Sequence, residues 1–208
     1  MGMKKYALFG FVAAMVLTTP LSRIPQRRIR MLISILMSVI IFFMALWPFI
    51  APMLDRKDLM HLQTHMDTNG ICLQTTTYTC GPASAVTALR KLGLPAEEGE
   101  IAILSYTSEQ EGTPEDMLAD GLKRRYASSG LIVECRAFKS IAELKQAGLT
   151  LAVVKYGFML DHWVTVLEVS NSDVVVGDPA GGLDRLSYQD FAGKWRFVGI
   201  VLHRKTSD

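Results

Sequence analysis

The stretch YTCGPASA, residues 78–85, decides the fold of the C-terminal part of this 208-residue chain. Pro82 is favoured in the first turn of a helix, so the sequence predicts that Cys80 lies at a helix start. Apolar residues recur at helical spacing over Pro82–Leu92, and Gly93 ends the run. Unpaired N–H groups and the dipole at such a start favour a negatively charged thiolate. A free cysteine is also commonly a small buried apolar residue, so position alone leaves both interpretations open.

Gln74 lies six residues before Cys80, in the polar segment QTTTYT that leads into the helix. This approach predicts the glutamine beside the cysteine, where its amide and the Cys80 N–H can bind the oxyanion of an attacked carbonyl. Gly81 is predicted to let the backbone turn tightly and to leave the sulfur accessible. Taken alone, Gln74 also fits an ordinary solvated loop residue.

Two apolar β-runs further along the chain carry a histidine and an aspartate. His162 lies 82 residues after Cys80, and Asp178 lies 16 residues after His162. The sequence SNSD at 170–173 predicts a turn, and a hairpin around it brings the imidazole and the carboxylate within reach. The carboxylate would fix the imidazole tautomer and support its cationic form. Asp161 is the less favoured partner, because neighbours in a strand point to opposite faces.

The region from residue 70 onwards predicts helices first and a mostly antiparallel sheet afterwards, which is an α+β layout. One helix is predicted to begin at Thr113-Pro114, with the threonine hydroxyl as its N-cap. The other predicted helices are 82–92, 96–104, 140–147 and 186–193, and the predicted strands are 131–138, 149–156, 163–169, 174–177 and 197–203.

Residues 1–54 differ in composition from the rest of the chain. They hold six basic residues and no acidic one, whereas the sixteen basic and twenty acidic residues of 55–208 give that part a charge of −4. Hydrophobic residues make up 50% of the chain, which excludes a disordered protein. A mildly acidic domain lacks the basic footprint of a nucleic-acid-binding protein. We therefore expect a lipid membrane, and no nucleic acid, as the partner of the basic segment.

Residues 31–54 contain no charged side chain and predict a membrane-spanning helix. At a rise of ~1.5 Å per residue they reach roughly 36 Å, more than the ~30 Å hydrocarbon core. Residues 6–21 are a weaker second candidate, either a first span or a signal-like segment. The basic segment 23–30 is expected on the cytoplasmic side. The predicted organisation is a membrane anchor over 1–54 in the inner or plasma membrane, a connector over 55–69 and an extracytoplasmic domain over 70–208.

At these residues the chain resembles the bacteriocin-processing, or double-glycine leader, cysteine peptidases, which have a papain-like fold. The matching features are the spacing of Gln74 and Cys80 and the segments CGPA, DHWV and DPAGG, and the likeness covers about residues 70–203. The resemblance implies that Cys80 is the nucleophile, His162 the general base, Asp178 its orienter and Gln74 an oxyanion donor. It also implies a peptide or protein substrate and no metal or organic cofactor.

Two features depart from that family. Thr79 stands where the family often has an acid before the nucleophile, and the chain contains no G-x-x-x-x-G-K-[ST] motif of a fused nucleotide-binding domain. We therefore expect a stand-alone, membrane-anchored cysteine peptidase with a separate transporter or secretion partner. Two alternatives remain open: an acyltransferase that uses the same thiol, and a peptide-binding membrane accessory protein that does not turn over.

Three further expectations concern residues outside these motifs. Cys135 lies on the apolar face of its strand and is expected in the core, and a Cys72–Cys135 disulfide is a less favoured alternative for an extracytoplasmic domain. The glutamates of this region are expected on the solvated surface; they are Glu97, Glu98, Glu109 and Glu111. His61 and His65 have one-turn spacing without an evident third ligand, so we expect a polar connector helix and no metal site.

Overall fold

The computed structural model describes residues 12, 15, 24–158 and 160–205. Two units make up the chain, Met1–Leu54 and Asp55–Asp208. Apart from positions 12 and 15, the weaker candidate span at 6–21 lies outside the described residues.

Helix α1 (Arg27–Leu59) contains the whole uncharged stretch 31–54, so the predicted helix is present. It also continues into the predicted connector. Within the described part of the chain, however, no helix combines the length and the apolar character needed to cross a membrane. The membrane span predicted over 31–54 is therefore not confirmed.

After the end of α1, the unit Asp55–Asp208 continues with two short strands, which the sequence did not predict, and with three helices in the predicted order. Two short strands pair in antiparallel fashion, with Met66 opposite Cys72. The elements of this part are β1 (His65–Met66), β2 (Cys72–Leu73), α2 (Cys80–Lys91), α3 (Glu98–Leu104) and α4 (Glu115–Tyr126). The predicted helices around 82–92 and 96–104 are thus confirmed.

Helix α4 begins differently from its prediction. Pro114 precedes the first helical residue, Glu115, and makes no side-chain capping bond. The Thr113 hydroxyl lies 2.9 Å from the Thr107 hydroxyl in a buried hydrogen bond. The prediction of Thr113 as the N-cap is therefore wrong, because its hydroxyl joins the preceding loop rather than the helix.

A six-stranded sheet forms the second part of this unit, and all of its pairings are antiparallel. The strand order is β3-β8-β4-β5-β6-β7. Its elements, with the two helices between them, are β3 (Leu131–Ala137), α5 (Ile141–Ala147), β4 (Thr150–Gly157), β5 (Leu160–Val169), β6 (Asp173–Asp178), β7 (Gly182–Ser187), α6 (Tyr188–Lys194) and β8 (Trp195–Arg204). The predicted helix at 186–193 is displaced, because its first two residues end the edge strand β7, which lacks a continuous apolar run.

The sheet separates two hydrophobic clusters. One cluster joins residues of α2 and α4 to one face of the central strands, with Leu89, Leu122 and Leu151 fully buried. The other joins α5 and α6 to residues of the opposite face and centres on Trp195, whose ring lies 5.4 Å from that of Phe191. Helices therefore cover both faces, and the fold is the predicted α+β type with a papain-like arrangement.

The expectation that Cys135 lies in the core is wrong. Cys135 is exposed rather than buried, because it is one of the last four residues of β3, which are all exposed. Cys72 is fully buried, and both thiols are free, so the alternative disulfide does not form. Burial, followed by the charge of Glu98, raises the pKa of Cys72 to about 12.

The expectation that the glutamates lie on the surface holds for Glu97, Glu109 and Glu111 but is wrong for Glu98. Its exposed fraction is 0%. The carboxylate can be buried because hydrogen bonds from Thr75 replace its hydrogen bonds to water. The backbone N–H of Glu98 donates a further bond to the Thr64 hydroxyl. Charge alone at the start of a short helix did not reveal these partners.

Candidate active site

Cys80 is the first residue of α2, as the sequence predicted, and it is buried with 8% of its surface exposed. The predicted reason for the neighbouring glycine needs correction. A Cβ atom at Gly81 would lie 2.7 Å from Cβ of Thr113, closer than side chains approach. Glycine is therefore required because the start of α2 packs tightly against the loop that precedes α4.

His162 and Asp178 lie on the neighbouring strands β5 and β6 and meet as a side-chain pair. His162 Nε2 is 2.8 Å from Asp178 Oδ1. The strand register places Thr165 opposite Gly177. His162 and Asp178, further along the same two strands, therefore face each other diagonally across the hairpin. The backbone N–H of Ala180 donates a second hydrogen bond of 2.8 Å to the same carboxylate oxygen. The predicted hairpin thus brings the imidazole and the carboxylate together.

The electrostatics of this pair favour a charged imidazole. Burial lowers the pKa of His162, but hydrogen bonds to Asp178 and to the Cys80 thiol outweigh it and raise the pKa from 6.5 to about 9. Burial acts in the opposite sense on Asp178, yet the hydrogen bonds from His162 and the Ala180 N–H lower the pKa of its carboxyl. His162 therefore interacts with two of the other predicted side chains, Cys80 and Asp178.

Asp161 was the less favoured partner for the histidine, and the structure places it elsewhere. Its Oδ1 atom accepts a 2.7 Å hydrogen bond from Arg196 Nε. A second contact of 2.7 Å, from Arg196 Nη2, completes an ion pair with β8. Asp161 thus points to a different side of β5, as the alternation of side chains along a strand requires.

Ser84 joins the cysteine helix to the histidine strand. Its hydroxyl donates a 3.0 Å hydrogen bond to the carbonyl of Trp163, the residue after His162. In return, the Thr165 hydroxyl donates a 2.8 Å hydrogen bond to the Ser84 carbonyl. Both bonds are buried, so they fix the distance between α2 and β5 and with it the meeting of Cys80 and His162. No sequence pattern indicated a role for Ser84, because its partners are 79 or more residues away.

Gln74 is held next to the aspartate loop by its main chain. Its backbone N–H donates a 2.9 Å hydrogen bond to the carbonyl of Pro179, the residue after Asp178. Its side-chain Nε2 donates to the Thr76 carbonyl at 2.9 Å. Its Oε1 atom is buried and has no partner among the described residues. The side-chain amide that was predicted to bind an oxyanion therefore donates a hydrogen bond to the Thr76 carbonyl.

Two further features surround these residues. The Tyr156 ring packs against the His162 ring with their centroids 4.9 Å apart, a contact that no sequence pattern indicated. A cleft of about 550 Å³ opens beside Cys80. Its other lining residues come from three segments and are Thr77, Tyr78, Glu109, Gln110, Glu111, Gly112, Thr113, Leu160, Asp161 and Trp163. The cysteine is thus reached from a cleft large enough for several residues of an extended peptide.

A metal site is not evident in the part of the chain that the structure describes, which contains no group of three or more His, Cys, Asp or Glu side chains suited to hold an ion. A thiol, an imidazole and a carboxylate grouped in this way are suited to nucleophilic catalysis, in which a base and its orienter activate a cysteine.

Comparison with known proteins adds a family and a fold. The model of the Peptidase C39 family matches residues 68–207. An uncharacterized protein of Methanothermobacter marburgensis is 31% identical over 132 residues, which cover 64% of this chain and 85% of the relative. A second uncharacterized protein, from Methanothermobacter thermautotrophicus, is 27% identical over 141 residues, or 68% of this chain and 92% of that relative.

Two solved structures share the fold at low sequence identity. The peptidase domain of Streptococcus ComA, a bi-functional ABC transporter involved in a quorum sensing pathway, is 23% identical and superposes with a TM-score of 0.55, covering 64% of this chain and 96% of that domain. A double glycine motif protease from an AMS/PCAT transporter, solved in complex with the leader peptide, is 14% identical, with a TM-score of 0.56 and coverage of 70% and 96%.

Proposed function

The chain belongs to the peptidase C39 family, and from this premise we propose that it is a cysteine peptidase that hydrolyses peptide bonds through Cys80. One observation carries the proposal: His162 bonds to Asp178 at 2.8 Å, and the same imidazole interacts with Cys80, which begins α2. A cysteine at the start of a helix, beside an imidazole that a carboxylate orients, has the surroundings of a nucleophile.

The proposed reaction proceeds in two steps. The Cys80 thiolate attacks the peptide carbonyl, and the new oxyanion is bound by the Cys80 N–H and by the Gln74 amide. The His162 imidazolium then gives its proton to the leaving amine, which departs and leaves a thioester. Water, deprotonated by His162, attacks the thioester and releases the carboxylic acid and the thiol. Proton transfer of this kind contributes about 10²–10⁴-fold to the rate.

The substrate in this proposal is an extended peptide segment that enters the cleft beside Cys80. The cleft volume of about 550 Å³ supports an extended segment rather than a folded domain. The related protease that was solved with a leader peptide recognises a double glycine motif, and we propose a small-residue segment of that kind here. A separate transporter or secretion protein would be the partner that carries the cleaved product.

We also propose that residues 1–54 hold the peptidase at a lipid membrane, with the catalytic unit on the extracytoplasmic side. Large apolar side chains exposed along α1 support membrane association; they include Leu32, Ile35, Leu36, Phe42 and Phe43. Sedimentation of the full chain with membranes, lost when the chain starts at Asp55, is the expected result. A reporter fused after Asp208 that is active only in the cytosol would contradict the proposed side.

Two cysteine variants test the catalytic proposal. We expect Cys80→Ala to lose both cleavage of a peptide library, read by mass spectrometry, and labelling by a chloromethyl ketone peptide ending in Gly-Gly. The matched control is Cys135→Ala, which removes an exposed free thiol outside the site and should leave both readouts unchanged. Cleavage that persists in Cys80→Ala would refute the proposal.

A further inference from the structure

The buried carboxylate of Glu98 makes two hydrogen bonds to a single residue next to Gln74. Its Oε1 atom accepts from the Thr75 backbone N–H at 2.9 Å, and its Oε2 atom accepts from the Thr75 hydroxyl at 2.6 Å. The exposed fraction of Glu98 is 0%, so these bonds are protected from competing water. The two bonds hold both the main chain and the side chain of Thr75, which is 23 residues away from Glu98 in sequence.

The next residue, Thr76, is held in a similar way from the other side. The buried Thr79 hydroxyl accepts from the Thr76 backbone N–H and donates to the Thr76 carbonyl, both at 3.2 Å. Thr76 and Thr75 therefore have their main chains restrained by side chains. The restraint matters because residues 74–79 lie outside any helix or strand, where no ladder of backbone bonds would hold them.

The position of the Gln74 amide follows from this restraint. Its Nε2 atom bonds to the Thr76 carbonyl, whose place is set by Thr75 and Thr79. Its Oε1 atom is buried without a partner among the described residues, so no direct bond of that oxygen fixes the side chain. The amide is thus held by its one bond to the Thr76 carbonyl, and its position depends on the side chains that hold Thr76 in place.

We propose that Glu98 is a positioning residue for the oxyanion donor Gln74, acting through its two hydrogen bonds to Thr75. The inference rests on the proposed function, because it needs Gln74 to act on the substrate oxyanion. Glu98 itself touches no reacting atom. A displacement of about 1 Å at a catalytic group can cost roughly 10²-fold in rate, so a residue of this kind has a measurable kinetic effect.

In this proposal Glu98 acts through its hydrogen bonds to Thr75 rather than through its negative charge. Two substitutions distinguish the two effects. Glu98→Ala removes both bonds to Thr75. Glu98→Gln keeps them, because the amide oxygen can accept from the Thr75 N–H while the amide nitrogen donates to the hydroxyl. That hydroxyl still has an acceptor in the Gln63 carbonyl at 3.0 Å. The glutamine variant should therefore recover most of the activity that alanine loses.

The experiment measures kcat, KM and the rate of Cys80 alkylation by iodoacetamide, which needs the thiolate but no oxyanion site. We expect Glu98→Ala to lower kcat about 10–100-fold, with KM and the alkylation rate within about twofold of the wild type. Glu97→Ala is the matched control, since its exposed neighbouring carboxylate pairs only with Arg90 among the described residues. It should leave all three quantities unchanged.

A second arm asks whether Glu98 acts through Gln74. In a Gln74→Ala background, Glu98→Ala should cause no further loss of kcat, because the group that it positions is already absent. Additive losses, or an equal fall in the alkylation rate, would overturn the inference and assign Glu98 a general structural role. If Glu98→Ala does not fold, Thr75→Val removes one of the two bonds and should lower kcat in the same non-additive way; additivity there would overturn the inference too.

The two proposals fail in different ways. Activity that survives in Cys80→Ala would refute the peptidase mechanism. Activity that is lost in both Cys80→Ala and Gln74→Ala but retained in Glu98→Ala would refute the positioning role alone.

Discussion

The candidate active site consists of a sheet half and a loop half, which are held in place by different forces. The sheet half contains His162 and Asp178 on β5 and β6, whose relative position is set by backbone pairing between strands. The loop half contains Gln74, in a segment without helix or strand, where side chains provide the restraint. Neighbouring substitutions should therefore disturb the loop half more easily than the sheet half.

The largest expected effect comes from the sheet half. His162→Ala removes the proton donor and acceptor, and we expect kcat to fall about 10²–10⁴-fold in a steady-state peptidase assay. His203→Ala changes an exposed histidine on β8 and serves as the control. Nearly wild-type turnover in His162→Ala would show that the sheet half takes no part in the reaction.

The loop half is expected to contribute somewhat less. Gln74→Ala deletes one oxyanion donor, and we expect kcat to fall about 10²–10³-fold with little change in KM, because the donor acts mainly in the transition state. Gln146→Ala, an exposed glutamine on α5, provides the comparison. If KM rises while kcat stays constant, Gln74 binds substrate rather than the oxyanion.

A change in pH separates the two halves. Asp178→Asn removes the carboxylate charge, one of the causes that raise the pKa of His162 from 6.5 to about 9, so the alkaline limb of kcat/KM should move to lower pH. Gln74→Ala should leave that limb in place. Asp184→Asn, an exposed change on β7, is the control. An unchanged alkaline limb in Asp178→Asn would show that another group sets it.

The same pKa shift has a consequence for folding. Because the pKa of His162 is higher in the folded than in the unfolded chain, its contribution to stability is fully present below about pH 6.5 and is lost as the pH rises through about 9. The free energy of unfolding in urea should therefore decrease over this interval in the wild type. The decrease should be smaller in Asp178→Asn.

The smallest expected effect belongs to the ring that packs on the imidazole. Tyr156→Ala removes an aromatic contact at a partly exposed site, worth about 0.5–1 kcal/mol with a cationic partner, so kcat/KM should fall roughly two- to fivefold. Tyr156→Phe retains the ring and should stay near the wild type. Equal losses in both variants would attribute the effect to the hydroxyl group instead.

The sequence predicted the sheet half better than the loop half, for a physical reason. A turn signal and two apolar runs suffice to place His162 near Asp178, because strand pairing has a fixed geometry. The helix that begins at Cys80 followed in the same way from Pro82. These local rules also predicted the order of the helices and of the strands β3 to β6 and β8, but not the short strand β2 or the edge strand β7.

Contacts between distant side chains have no comparable rule. The bonds between Ser84 and Trp163 and between Glu98 and Thr75 depend on how segments that are distant in sequence pack together. No local sequence pattern signals such contacts. Glu98 looked like a surface residue because glutamates usually are. The exposure of Cys135 was missed because alternation along β3 does not reveal which residues of the strand are covered by the rest of the fold.

The hydrogen bond from the Gln74 N–H to the Pro179 carbonyl joins the two halves through one peptide group. Pro179 follows Asp178 directly, so any ligand that pulls the residue 179–181 turn outward moves the carboxylate and the glutamine together. A small molecule bound at this turn would displace both groups without entering the cleft beside Cys80.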